Sequence, residues 1–245
     1  MKLDYYPLGD TGIQLVFGTE ISEETNQKIR MFADELAQHP IDGVVEWVPA
    51  YTTLTIYYLP NKISFKTLKE KLEEMNEQQH GREADAASLV YIIPTYYGGS
   101  DLAYVAEHNG LSEEEVISIH ANKDYLIYMM GFVPGFPYLG GMPEEIATPR
   151  RENPRAEIEP GSVGIAGAQT GIYPLESPGG WQLIGQTPVK LYDPTGERPI
   201  LLESGHYLRF VPISKEEFNN IKEAIKRGEY EVETEEKKVS VHEIG

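Results

Sequence analysis

The sequence predicts an α+β protein in two domains, a ferredoxin-like domain over residues 1–95 and a β-rich domain over residues 96–245. The N-terminal part alternates between strand-like and helix-like patterns, whereas residues 131–212 hold 13 of the 23 glycines and 12 of the 17 prolines. Short apolar runs such as "SVGIAG" and "WQLIG" lie between those glycines and prolines. Turn signals at that density around short strands indicate a closed or sandwiched β structure.

The N-terminal part predicts the element order β-α-β-β-α-β. The run "IQLVFG" is strand-like, and Ile29, Phe32 and Leu36 then recur at helical spacing. "GVVEWVPAYTTLTIYYLP" is rich in β-branched and aromatic residues and indicates two strands. A second helical stripe runs from Phe65 to Met75, and "SLVYIIP" is a further strand. This order matches a ferredoxin-like unit, in which two helices cover one face of an antiparallel sheet.

The C-terminal part predicts three more helices besides its strands. Ser100 is a candidate N-cap for the helix "DLAYVAEHN". Ser112 with Glu115, and Ser214 with Glu217, form capping-box patterns that open two further helices. Disorder is the alternative for glycine- and proline-rich sequence, but the many large apolar residues here favour order. The end of the chain, "EYEVETEEKKVSVHEIG", is either one more strand or an acidic tail.

Charge and composition exclude several classes of function. The formal net charge is −18, and no run of Lys or Arg exceeds two residues, which opposes binding to nucleic acid or anionic lipid. The chain has no cysteine, so it has no disulfide framework and no thiolate nucleophile. The N-terminus "MKLDYYPLGD" lacks the apolar core of a signal peptide, and we therefore expect a cytoplasmic protein.

The stretch Tyr125–Pro143 contains no Asp, Glu, Lys, Arg or His and is long enough to suggest a membrane span. Its content opposes that interpretation, because Pro134 and Pro137 each remove a backbone donor. The glycines of "GFVPGFPYLGG" add a further cost to any helix. We expect no membrane segment here.

The familiar enzyme motifs are absent from the sequence. There is no nucleotide loop of the form Gly-x4-Gly-Lys-Ser/Thr, no dinucleotide fingerprint and no Gly-x-Ser-x-Gly elbow. The six histidines show no metal-binding spacing, so no metal site is predicted. Glycines three or four residues apart between Gly161 and Gly171 are better explained by tight turns and close packing.

Polar and aromatic side chains concentrate within the glycine- and proline-rich part. The candidate site residues are Arg150, Arg155, Gln169, Thr170, Glu176 and Trp181. Arginine binds carboxylate or phosphate with two parallel hydrogen bonds, and an indole ring can stack on a small ligand. The alternative is that both arginines pair with local glutamates such as Glu152 and Glu157. For the group as a whole, a ligand pocket or a partner-binding groove is favoured.

Several motifs resemble one family in particular. They are His120 followed by "GFVPGFPYLGG", and then "PGSVGIAGAQTGIYP", "SPGGWQLIGQTP" and "GHYLRFVPI". Together they resemble the Kip-inhibitor family, also known as allophanate hydrolase subunit 1 or as the B-type subunit of 5-oxoprolinase, densely over about residues 96–213. The resemblance implies a ferredoxin-like N-terminal domain and a cyclophilin-like β-barrel, followed here by a helix and a tail. It places "GFVPGFPYLGG", with Phe136, in one wall of a groove of the barrel.

The resemblance also implies a function. The chain is expected to join A-type and C-type partner subunits in an ATP-dependent 5-oxoprolinase that opens 5-oxoproline to L-glutamate, and to be inactive alone. ATP is used by the complex, and the motifs indicate no cofactor bound by this chain. Arg150 or, narrowly preferred, Arg155 is expected to hold the substrate carboxylate, with Gln169 and Thr170 on the amide or on a phosphorylated intermediate. His120 is the candidate proton-transfer residue, and a structural role at a helix end is its alternative.

A second function stays open, namely inhibition of a sporulation-type sensor histidine kinase through protein binding by the barrel domain. Prolyl isomerase activity would rest on analogy of fold alone. Two departures from the family pattern bear on the site. Gln186 stands where the family usually has arginine, and His206 where it usually has aspartate. The first removes a cation and keeps only hydrogen bonding.

Limited proteolysis tests the division into domains. The most polar connection runs from about Glu77 to Ala87, and we expect cleavage there to release a stable C-terminal fragment. Mass spectrometry of the fragments identifies the cut. A protected core that spans both parts of the chain would contradict two domains.

Overall fold

The computed structural model describes residues 3–78 and 88–237, and the chain divides into two compact units, Met1–Ala86 and Ala87–Gly245. The predicted cleavage segment lies almost wholly outside the described residues, as does the end of the acidic tail. No helix in the described ranges is long and apolar enough to cross a membrane.

The first unit is a four-stranded antiparallel sheet with two helices. Its elements are β1 (Asp4–Leu8), β2 (Gly12–Val16), α1 (Glu23–Gln38), β3 (Val44–Pro49), β4 (Thr53–Tyr58) and α2 (Phe65–Gln78). The strands lie in the order β1-β2-β4-β3. Both helical stripes predicted from the sequence are confirmed, because each helix buries its stripe in the core of this unit. Ser22 caps α1 by accepting a hydrogen bond from the Thr25 amide.

The described part of the second unit holds three sheets, three α-helices and a short 3-10 helix at Glu144–Ile146. Its helices are α3 (Leu102–Asn109), α4 (Glu113–Ala121) and α5 (Lys215–Lys226). Its strands are β5 (Ser88–Thr95), β6 (Asp124–Met130), β7 (Pro137–Gly140), β8 (Arg155–Ile158), β9 (Ser162–Ala166), β10 (Gln169–Ile172), β11 (Ser177–Gly179), β12 (Gln182–Gln186), β13 (Tyr207–Pro212) and β14 (Thr234–Lys237). The sheets have the orders β14-β5-β13-β6-β7, β10-β9-β12 and β11-β8.

Strand β5 belongs to the second unit, which corrects the ferredoxin-like order predicted for residues 1–95. It pairs in parallel with β13 from Val90 opposite Tyr207 to Thr95 opposite Pro212, so the structural division falls at residue 86 and not at 95. The physical reason is burial. Alternating residues would suit an open sheet, but β5 is almost continuously buried, as an internal strand between β13 and β14 must be.

The mixed α/β class is confirmed, whereas the barrel is not found in the described part of the chain. The three sheets of the second unit stay separate, and only isolated bridges such as Tyr96 with Gln186 join elements across them. The ferredoxin-like and cyclophilin-like fold names stay predictions. One continuous core nevertheless joins the five-stranded sheet, α3, α4 and the β9-β10-β12 sheet, with Tyr125, Phe210 and Ile93 fully buried in it.

The capping predictions are confirmed for two helices and corrected for a third. Complete capping boxes open α4 at Ser112 and α5 at Ser214. The N-cap of α3 is Asp101 and not Ser100, and the Asp101 side chain makes no capping hydrogen bond. That carboxylate is engaged elsewhere, in the candidate site.

Candidate functional site

An aromatic cluster lies where the β6-β7 hairpin meets β10 and the β11-β12 connection. Phe136 packs edge-on against Trp181 and Tyr173 with ring centroids 5.8 and 6.1 Å apart, and Tyr173 packs on Trp181 at 6.1 Å. A Cβ atom at Gly171 would lie 3.1 Å from the Trp181 ring, so glycine allows β10 to approach the cluster closely. The structure therefore brings together Phe136 and Trp181, both candidates from the sequence, and adds Tyr173.

Strand alternation divides the polar candidates of β10 between two faces. Gln169 shares the face of Gly171, which is directed toward the aromatic cluster, and its side chain is half-buried. Thr170 is on the opposite face and is buried. Glu176 is exposed just before β11. Gln169 and Thr170 thus occupy different environments, although one shared role was predicted for them from the sequence.

Arg155 is held by a buried carboxylate. Its Nη2 donates to both carboxylate oxygens of Asp101 at 2.8 Å and to Ser100 Oγ at 3.0 Å, and its Nη1 donates to the Trp181 carbonyl at 3.3 Å. Arg151 donates to the same carboxylate at 3.1 Å. Arg155 therefore does form an ion pair, as the alternative expected, but its partner is Asp101 and not a local glutamate. The carboxylate that binds it lies 54 positions away in the sequence.

Asp101 connects these arginines to the backbone of β12. Its Oδ2 accepts a hydrogen bond of 2.6 Å from the Leu183 amide, and the Asp101 amide donates to the Leu183 carbonyl at 2.9 Å. Only 7% of the Asp101 side chain is exposed, so its charge depends on these donors. A carboxylate with this many donors holds Arg155 against the Trp181 carbonyl and fixes the position of the indole.

Arg150 has a different environment. Its side chain is exposed, and within the described residues it has no hydrogen-bond or ion-pair partner. Burial raises the pKa of Tyr173, and a backbone hydrogen bond with Trp181 and the charges of Arg150 and Arg155 act in the opposite direction. Arg150 is therefore an exposed arginine whose charge acts on Tyr173 of the aromatic cluster.

His120 is fully buried near the end of α4, and both of its ring nitrogens are engaged. Nδ1 lies 2.7 Å from the Tyr97 hydroxyl, and Nε2 lies 2.7 Å from Thr170 Oγ1. Thr170 Oγ1 donates its proton to the Gly164 carbonyl at 3.1 Å. It must therefore accept from His120 Nε2–H, which leaves Nδ1 to accept from the Tyr97 hydroxyl.

This chain of hydrogen bonds requires neutral imidazole. Burial lowers the pKa of His120 to about 3, and the ring packs on Phe210 with centroids 4.4 Å apart. Burial likewise raises the pKa of Tyr97 well above its usual range. In this arrangement His120 offers no free nitrogen to a substrate, and the geometry favours its structural alternative. It links α4 to β10 and so holds the strand that carries Gln169.

The two departures from the family pattern both have visible partners. Gln186 Nε2 donates to Glu159 Oε2 and to the Pro160 carbonyl, each at 3.2 Å, so it retains hydrogen bonding without the charge. His206 Nδ1 accepts from the Leu89 amide at 3.2 Å, as an aspartate oxygen could. Neither residue lies in the aromatic cluster.

Sequence reasoning missed Asp101, Tyr97 and Tyr173. Asp101 is the first residue of a predicted helix and Tyr97 lies just before it, and their partners are distant in the sequence. Tyr173 carried a weak signal, because it follows the glycine-rich strand among the aromatic residues of the same motif. In the described ranges, no group of three or more His, Asp or Glu side chains is arranged to hold a metal ion.

The two units define a mixed α/β protein whose second unit carries an aromatic cluster with Arg155 held beside it. Comparison with known proteins identifies the family. The family described as "Carboxyltransferase domain, subdomain C and D" matches residues 3–202, and the chain belongs to it.

Relatives in this family match most of the chain. The B-type subunit of 5-oxoprolinase from Bacillus subtilis (strain 168) is 44% identical over 229 residues, covering 88% of this chain and 95% of the relative. The subunit of the same name from Escherichia coli O157:H7 is 41% identical, covering 84% and 94%. A solved structure of a conserved uncharacterized protein from Pyrococcus horikoshii is 42% identical with a TM-score of 0.52, covering 88% of this chain and 100% of that one. The resemblance seen in the sequence motifs is confirmed.

The Asp101 carboxylate is expected to matter for stability. The Asp101 carboxylate accepts hydrogen bonds from Arg151, Arg155 and the Leu183 amide. Asp101→Asn replaces one accepting oxygen with an NH2 donor and removes the negative charge, so the free energy of unfolding should fall by about 2 kcal/mol or more. Urea unfolding measures this. As a control, Asp42→Asn removes an exposed carboxylate paired with Lys62 and should change stability by less than about 1 kcal/mol. An equally small change in Asp101→Asn would contradict the arrangement.

The burial of neutral His120 predicts a pH dependence of stability. The ordinary pKa is 6.5 and the folded value about 3, so only the unfolded chain binds this proton between those values. The stability that the neutral ring contributes is fully present above about pH 6.5. Below that value it decreases by about 1.4 kcal/mol for each unit by which the pH is lowered. Between pH 7 and pH 5, the wild type should therefore lose about 2 kcal/mol more than His120→Gln.

The comparison uses the change between the two pH values, so the variant's own stability at pH 7 does not enter. His39→Gln, at a histidine with 64% of its side chain exposed, serves as the control and should follow the wild type. If His120→Gln also follows the wild type, His120 is not buried as the neutral form.

Proposed function

We propose that this chain is a subunit of an ATP-dependent 5-oxoprolinase that opens 5-oxoproline to L-glutamate together with A-type and C-type partner subunits. The observation that carries the proposal is the 44% identity to the B-type 5-oxoprolinase subunit of Bacillus subtilis over 95% of that protein. The missing nucleotide loop and nucleophile motifs are consistent with a chain that is inactive alone. No cofactor is assigned to it, and ATP is used by the complex.

Arg150 is proposed as the anchor of the substrate carboxylate. The sequence favours Arg155 narrowly, but that guanidinium already has its hydrogen bonds to Asp101, Ser100 and the Trp181 carbonyl. Arg150 is exposed and has no hydrogen-bond or ion-pair partner among the described residues. Bidentate pairing of arginine with a carboxylate is among the stronger hydrogen-bonding arrangements.

The remaining groups suit the lactam ring. The ring is flat and partly apolar, and the aromatic cluster is the adjoining apolar part of the second unit, with 9% of Trp181 and 3% of Tyr173 exposed. Gln169, on the cluster's face of β10, carries both donor and acceptor groups that match those of the amide. Glu176 is exposed beside β11 and is proposed to contact a partner or substrate from the rim. Thr170 acts indirectly, because its hydroxyl is committed to His120 and Gly164.

His120 is proposed as a positioning residue for β10. Proton transfer by its ring would require breaking a hydrogen bond to Tyr97 or Thr170, inside a site that excludes water. The kinase-inhibitor function, predicted as the alternative from the resemblance, remains a prediction.

Reconstitution with the two partner subunits tests the proposal. The chain alone should show no ATP-dependent turnover of 5-oxoproline, and the complex should. Arg150→Ala should raise KM for 5-oxoproline about thirtyfold, which corresponds to about 2 kcal/mol of lost binding, with little change in Tm.

Arg227→Ala is the matched control, because it removes an exposed arginine of the second unit that pairs with the nearby exposed carboxylate of Glu229. It should leave KM unchanged. Turnover by the isolated chain, or a wild-type KM in Arg150→Ala, would contradict the respective part of the proposal. Inhibition of a sensor kinase by the wild type in a parallel assay, with 5-oxoprolinase activity absent, would favour the alternative function.

A further inference from the structure

The loop between β6 and β7 holds a bulky residue in a backbone conformation that suits glycine. Phe132 has φ of 67°, and in the described ranges no other residue except glycine has positive φ. The Val133 amide donates to the Gly131 carbonyl at 2.8 Å, so Phe132 is the central residue of a three-residue turn with positive φ. Such turns are rare and strained, especially for a side chain of this size.

The loop holds this strained turn in place from both sides. The Gly131 amide donates to the Phe136 carbonyl and the Phe136 amide donates to the Val133 carbonyl, each at 3.1 Å. Phe136 is itself buried in the aromatic cluster. Strained backbone that is fixed by its surroundings concentrates at ligand clamps and switch regions, where the conformation serves function.

The strain does not serve the packing of this chain. The Phe132 side chain is 69% exposed, the largest exposure among the exposed large hydrophobic residues of the described part. Its ring touches the cluster only by an edge contact to Phe136 at 5.8 Å. The fold therefore tolerates backbone strain to hold an apolar ring in water, which is unfavourable unless another surface covers it.

The charge distribution around Phe132 in the sequence favours a protein as the surface that covers its ring. The chain carries −18 overall, but Phe132 lies in a stretch of nineteen residues, 125–143, that lacks Asp, Glu, Lys, Arg and His. An apolar partner surface can approach there without desolvating a charge of this loop. Exposed aromatic anchors of this kind supply much of the binding energy of protein interfaces.

We propose that Phe132 is the anchor by which this chain binds a partner subunit of the 5-oxoprolinase complex, inserting into an apolar pocket of that subunit. The inference rests on the proposed function. Because Phe132 touches Phe136, a partner bound at Phe132 would also approach the aromatic cluster. The substrate site would then be completed, and water excluded, only in the complex, which accounts for a chain that is inactive alone.

The test separates the ring from the backbone strain. Phe132→Gly removes the ring and relieves the strain, because glycine adopts positive φ freely. The isolated variant should have a Tm equal to or higher than that of the wild type. Its affinity for the partner subunits, measured by calorimetric titration of each subunit, should fall by at least about tenfold. Phe132→Leu, which keeps an apolar side chain, should retain more of the affinity.

Tyr104→Ala provides the control, because Tyr104 is another exposed aromatic residue of the second unit, 49% exposed on α3. It should bind the partners as the wild type does. Wild-type affinity in Phe132→Gly overturns the inference while leaving the proposed function intact. Failure of the wild type itself to bind either partner subunit overturns both. Equal loss of affinity in Phe132→Gly and Tyr104→Ala also overturns the inference, because the effect would not be specific to Phe132.

Discussion

The candidate site depends on the buried carboxylate of Asp101. It accepts hydrogen bonds from Arg151, Arg155 and the Leu183 amide, and these donors come from separate segments that only the folded chain brings together. Asp101 reaches the Leu183 amide because the backbone at Gly99 approaches β12 closely. A Cβ atom at Gly99 would lie 2.3 Å from the Leu183 carbonyl, so any other residue there would push the segment before α3 away from β12.

Arg151 and Arg155 share the Asp101 carboxylate, whereas the adjacent Arg150 does not bind it. Arg155 binds Asp101 and donates to the Trp181 carbonyl, and Arg151, the more exposed of the two arginines, donates to the same carboxylate. Arg150 differs in that no carboxylate of the described residues reaches it. Of three arginines close together in sequence, two therefore bind the Asp101 carboxylate and one is exposed to solvent.

A second buried system supports the other side of the site. A series of hydrogen bonds runs from the Tyr97 hydroxyl through His120 and Thr170 to the Gly164 carbonyl. Each side-chain polar group in this series has a partner. Such a network tolerates little change, because each member in the interior would lose its partner if a neighbour moved. It holds β10 in a fixed position, with Gln169 and the Gly171 gap facing the rings. The side chains of this network are buried, whereas the Phe132 ring is exposed.

The sequence by itself determined the local structure and the family. Helical stripes, capping boxes and the dense glycine and proline motifs predicted most elements, because these signals act within a few residues. It also placed Phe136, Trp181 and the arginines in one region. Tertiary structure decided which sheet received β5, because parallel pairing with β13 joins residues more than a hundred positions apart. It likewise decided that Asp101 would bind Arg155, that Arg150 would stay available, and that His120 would be buried and neutral. Burial and long-range pairing fix the charge state and the availability of a side chain, and neither can be read from the residues beside it.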